Sequence, residues 1–103
     1  MKLEEQFKQE VLDGCKLLSK KHGYNPTYFL RMVHEHGAVT AAKLLLASKE
    51  PSEGLFKLWE LRQLEMSIEA MALSPRFRSL FTKEELLTAK RRLDDMGYTP
   101  PDK

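Results

Sequence analysis

From Leu3 onward the apolar residues return at intervals of four and three: Leu3, Phe7, Val11, Cys15 and Leu18, with lysines and glutamates between them. That period places one apolar stripe along a helix over residues 2–22, and Gly23 stops it. In "YNPTYFLRMV", Asn25 suits an N-cap and Pro26 the first helical position, where its missing N–H would be unsatisfied anyway. The second helix then runs to His36 and ends at Gly37, which tolerates a left-handed C-terminal cap. A third follows over roughly 38–48.

"SKEPSEG", Ser48 to Gly54, is a loop with Ser52 as the next cap. Leu55 to Leu64 is strongly apolar and holds the only tryptophan, Trp59. Ser67 caps a short helix, "SIEAMAL"; Ser74-Pro75 breaks it, and "RFRSLF" forms a further turn. Thr82 and Glu85 match a capping box, in which each side chain serves the other residue's backbone N–H. The last helix carries Leu86, Ala89, Leu93 and Met96 on one side and ends at Gly97, with a frayed tail over 99–103. No alternating strand pattern appears. The pattern predicts an all-α protein, a single compact domain of five to six short helices over residues 1–103. Phe29, Leu45, Leu46, Phe56 and Trp59, each on the apolar side of its helix, are expected to share its core.

Composition adds exclusions. The chain has 103 residues, 42% hydrophobic and 31% charged, which suits one globular domain rather than disorder. Its one cysteine, Cys15, precludes an internal disulfide and fits a reducing compartment. The carboxylates of "MKLEEQFKQE" leave no apolar signal segment, and no stretch approaches the roughly 20 apolar residues of a membrane span. A cytoplasmic location without membrane attachment is the expectation. The net charge of +2 does not amount to a basic face. Residues 51–72 stand apart as acidic, with Glu53, Glu60, Glu65 and Glu69 against Lys57 and Arg62.

His34-Glu35-His36 resembles half of a metalloprotease signature, but the histidines are two apart instead of four. Two helical steps turn about 200°, so the rings face opposite ways and cannot chelate one ion. Cys15 and His22 share a helix face, yet Cys15 lies in the apolar stripe and a structural zinc takes four ligands. No metal and no cofactor are expected. His36 reads as a side chain at a helix C-terminus, where the dipole favours it. Glu69 sits among apolar neighbours and must pair or shift its pKa; Arg31 and Arg62 are the partners expected for it.

"FLRMVHEHGAVTAAKLLL" has the outline of a helix-turn-helix, but the second helix offers only Thr40 and Lys43 where a reading helix needs donors. Instead Ala41, Ala42, Leu44 and Leu45 suit close helix packing. In "KRRLDD", Lys90 with Asp94 and Arg91 with Asp95 form i,i+4 pairs. Arg76, Arg78, Lys90 and Arg92 then remain as a possible anion or nucleic-acid surface.

Three segments, "GYNPTYFLRMVHEHGAVTAAKLLL", "PSEGLFKLWELRQLEMSIEAMAL" and "LFTKEELLTAKRRLDDMGY", resemble in order and spacing a small bacterial helical domain, over Gly23 to Tyr98. Members of that family are stand-alone proteins or tails of larger ones, some associated with restriction or defence. Where relatives have two glycines at the turn, this chain has Gly37-Ala38. The resemblance implies a helical fold and carries no reaction and no catalytic residues.

Three classes of function follow. A non-enzymatic interaction module with a protein partner is favoured by the small size and the missing catalytic constellation. A nucleic-acid-associated domain would draw on the four basic residues above. A small enzyme would have to use His34 or His36 with Glu69.

Overall fold

The computed structural model describes residues 2–99; the tail expected at 99–103 lies outside them save for Thr99. Among the described residues the protein is all-α, with six α-helices, two short 3-10 turns and no strand. The helices are α1 (Leu3–His22), α2 (Thr27–His36), α3 (Ala38–Ala47), α4 (Glu53–Glu60), α5 (Ile68–Leu73) and α6 (Lys83–Asp95). The 3-10 turns, Leu64–Met66 and Arg78–Leu80, precede and follow α5. None of the helices is long and apolar enough to cross a membrane. The chain divides into two compact units, Met1–Ala42 and Lys43–Lys103.

In the first unit α1 buries the stripe its sequence announces: Phe7, Val11, Cys15 and Leu18. Burial pushes the Cys15 thiol up to about 11, so it stays protonated and behaves as a small apolar side chain. Gly23, at φ 65°, closes the helix, and the Tyr24 N–H reaches back to the Leu18 carbonyl. The start of α2 lies one residue later than the sequence suggests. Pro26 itself occupies the N-cap, with its carbonyl accepting from the Leu30 N–H, and Asn25 makes no cap.

Gly37 is the whole connection between α2 and α3. Its N–H donates to the Val33 carbonyl at 2.8 Å, and its carbonyl accepts from the Ala41 N–H at 3.0 Å. One residue thus ends one helix and starts the next. Its backbone (φ 87°, ψ 159°) is not the left-handed cap expected but a region open essentially to glycine alone. Ala38, Ala41 and Ala42 are buried beyond it, as close packing requires, whereas Leu44 is exposed.

In the second unit, side-chain caps set the helix starts. Ser52 accepts from the Leu55 N–H, Ser67 from the Ala70 N–H, and Thr82 with Glu85 forms the complete capping box. Glu85 carries a further load: its Oε1 also accepts from Lys43 Nζ at 2.8 Å. Burial raises its pKa, but the bonds from Lys43 and the Thr82 N–H outweigh that and hold it below the usual carboxylate range. α5 packs most extensively against α6, over buried Ala70, Ala72, Ala89 and Leu93.

α4 corrects the expected core. Its buried ridge is Leu55 and Leu58, while Phe56 and Trp59, one step round the helix, are 50% and 52% exposed. Phe29 and Leu45 are half-buried, and of the expected five only Leu46 is fully enclosed. A helix that is apolar on two neighbouring ridges does not announce which one the rest of the chain covers.

α4 and α6 end alike. After α4, Gln63 and Arg62 donate to the Leu58 and Trp59 carbonyls; after α6, Tyr98 and Gly97 donate to those of Leu93 and Asp94. Both are Schellman closures, which need a positive φ at the penultimate donor. Gly97 supplies it at 75° without strain, but after α4 the position is Arg62, at φ 59°. Arg62→Gly is therefore expected to raise stability by about 0.5–1 kcal/mol in urea denaturation, against the usual cost of introducing glycine. A loss of stability would mean that the Arg62 side chain, not the backbone, governs the turn.

Candidate functional site

The first cluster of polar side chains is internal. Glu69, on α5, and Arg92, on α6, are 4% and 5% exposed and lie 3.4 Å apart between Oε2 and Nη1. Arg92 also donates to the Leu45 carbonyl at 3.0 Å and the Ser48 carbonyl at 2.6 Å, at and just past the end of α3. Burial pushes the Glu69 carboxyl above its ordinary pKa, opposed by its backbone hydrogen bond and by Arg92. No buried side-chain nitrogen or oxygen among the described residues lacks a partner. Every contact Arg92 makes is structural: it holds one helix end and one carboxylate.

This arrangement settles two expectations about residues. The partner of Glu69 is Arg92, not Arg31 or Arg62, both of which are exposed. Arg92 in turn is no part of an anion-binding surface, because it is enclosed. Of the other three basic residues, Lys90 is exposed and bonded to Asp94 at 3.1 Å, as the i,i+4 spacing implies. Arg76 and Arg78 are exposed beside the second 3-10 turn, with Arg76 over the Phe77 ring at 4.8 Å and Arg78 donating to the Leu73 carbonyl. His22, His34 and His36 are all exposed, and among the described residues no three potential ligands are placed to hold a metal ion. Lys43, the base-reading candidate on α3, is held by Glu85 and lies 5.4 Å from the Phe81 ring centre.

The second cluster is open to solvent and was not singled out by its sequence. Trp59, Glu60, Arg62, Leu64, Glu65, Met96, Gly97 and Tyr98 enclose a cleft of about 620 Å³. The two Schellman closures build it: they turn the chain back at the ends of α4 and α6, bringing Trp59 and Glu60 to one wall and Met96 to Tyr98 to another. Phe56, one turn before Trp59 on the same ridge of α4, is likewise half-exposed. Tyr98 is half-buried, and its phenol is raised above its usual pKa first by burial and then by the Glu65 carboxylate. Among the described residues neither Glu60 nor Glu65 is engaged in an ion pair, and no cation lies over the Trp59 or Tyr98 ring. The legible signal was a tryptophan followed by two acids, "LWELRQLE"; the role of Tyr98 depends on folding.

A smaller groove of about 180 Å³ lies within the first unit, between the start of α1 and the Gly37 corner, lined by Glu4, Glu5, Lys8, His36 and Thr40 among others. Its charges are mixed and no phenylalanine, tyrosine or tryptophan lines it among the described residues. Compared with known proteins, the chain matches no family model, no curated protein and no solved structure.

Proposed function

We propose that the protein is a non-enzymatic interaction module that offers the Phe56–Trp59 ridge of α4 and the adjoining cleft to a protein partner. The observation that carries this reading is the half-exposure of the only tryptophan beside a ready-made cleft. Tryptophan at an exposed, partly walled position is the residue type that most often dominates a protein interface. The resemblance to small bacterial helical domains that also occur as tails of larger proteins agrees with a binding role. The carboxylate that a small enzyme would need, Glu69, is enclosed and paired with Arg92.

The test pairs stability with capture. Trp59→Ala is expected to change the unfolding free energy by less than about 1 kcal/mol, far below the cost of a buried tryptophan. The same variant, immobilised, should lose a partner that the unaltered protein retains from a lysate of its native host, with or without nuclease. Capture that survives Trp59→Ala but disappears on nuclease treatment would reject this reading in favour of a nucleic-acid-associated domain using Arg76, Arg78 and Lys90.

A further inference from the structure

The cleft is more than an apolar recess, because its walls share an electrostatic sign. α4 and α6 both end in it, and a helix C-terminus carries the negative end of the helix dipole, about half a charge at most. Glu60 and Glu65 add two carboxylates that make no ion pair among the described residues, against the one cation of the described lining, Arg62. The cleft therefore has a negative field in a chain whose net charge is +2. Two aromatic rings, Trp59 and Tyr98, line the same space, and the face of such a ring attracts a cation. Carboxylates, aromatic faces and helix C-termini each favour the same ligand, and each disfavours an anion.

We infer that the cleft at the ends of α4 and α6 is a binding site for an alkylammonium group, carried on a lysine side chain of the partner. The inference rests on the proposed role of the Trp59 ridge and names the chemistry the partner must present there. An aliphatic stem terminated by a cation matches the walls. Met96 and Leu64 cover the stem, the rings of Trp59 and Tyr98 flank the charge, and Glu60 and Glu65 neutralise it. Arg62 stands at the same rim as a like charge, which sets affinity against binding rather than for it.

Trp59 is the only tryptophan and reports directly on its own cleft. Its emission is to be followed while the protein is titrated with three probes: a short lysine-containing peptide, choline, and the uncharged isostere of choline, 3,3-dimethylbutan-1-ol. Saturable changes are expected with the peptide and with choline, and none with the alcohol. Glu65→Gln and Tyr98→Leu, checked for folding by circular dichroism, should each weaken the peptide roughly three- to tenfold, as loss of one charge or ring contact implies. Arg62→Gln should tighten it.

Saturation by the alcohol at the same concentration would overturn the inference, as would weaker cation binding in Arg62→Gln. Choline binding without peptide binding would also reject it, by assigning the site to a small free cation. The two readings fail separately. Trp59-dependent capture of a partner without any ammonium binding sinks the cation site and leaves the module. Peptide binding without Trp59-dependent capture sinks the module.

Discussion

Replacing Arg92 by methionine is expected to lower the unfolding free energy by about 3–5 kcal/mol, because it breaks a buried ion pair from one side. Methionine fills the space of the aliphatic stem but leaves the Glu69 carboxylate without its cation and removes the guanidinium bonds to the Leu45 and Ser48 carbonyls. The carboxyl, already raised by burial, loses the charge that opposed the rise, so its folded-state pKa climbs further. A folded-state pKa raised above the unfolded value gives stability that is fully present below the unfolded value and is lost as pH climbs toward the folded one. The penalty of Arg92→Met should therefore grow between mildly acidic and neutral pH. Adding Glu69→Leu should recover part of the loss, since it removes the orphaned acid while the guanidinium bonds to the two carbonyls stay lost. Urea titrations followed by circular dichroism measure all three proteins; a change below about 1 kcal/mol for Arg92→Met would show the pair to be dispensable.

Gly37→Val is expected to cost about 2–3 kcal/mol, and by a different route. A Cβ at Gly37 would meet no atom within 4 Å, so the loss is not a clash. It arises because φ 87° with ψ 159° is closed to β-branched L-residues, and no neighbouring residue can absorb the change. Gly37 is the entire link, and both its N–H and its carbonyl are engaged in helix hydrogen bonds. A D-alanine introduced at the same place by chemical synthesis has the mirror-image preference and should be tolerated. Thermal melts of the two proteins separate backbone strain from packing: equal destabilisation by valine and D-alanine would mean that the space, not the dihedral, is the constraint.

Local features of the fold were legible because their causes are local. The α1 stripe, the serine caps at Ser52 and Ser67, and the Thr82–Glu85 box each involve residues within a few positions of one another, so the sequence displays cause and effect together. The core face of α4 was not legible. Leu55 with Leu58 and Phe56 with Trp59 are equivalent i,i+3 pairs, and only the remainder of the chain decides which is covered. Nor was the Glu69–Arg92 pair, whose members are 23 positions apart. Yet a trace of it was present: Arg92 follows Ala89 by three and precedes Met96 by four, which puts it on the apolar side of α6. An arginine on one apolar stripe and a glutamate on another, each unexplained alone, are the joint signature of a buried pair. The cleft was legible only in its Trp59 wall, since Tyr98 arrives through the closure of a helix 13 residues long that ends far from Trp59 in sequence.

The reach of Arg92 back to Leu45 spans 47 positions, and it imposes an order on a chain made from its N-terminus. At synthesis rates of about 5–20 residues per second, the last carbonyls of α3 precede their donor by about 2–9 s. Throughout that interval the guanidinium bonds to them are missing, the Leu45 carbonyl having only the Ser48 N–H and hydroxyl, and the Glu69 carboxylate likewise lacks its cation. Until α6 emerges, then, the segment from Lys43 onward has reason to stay open, and burial of α5 waits for the helix that carries its cation. A nascent chain that stalls before Arg92 presents the apolar faces of α4 and α5 with no lid, the form in which chaperones and proteases would meet it.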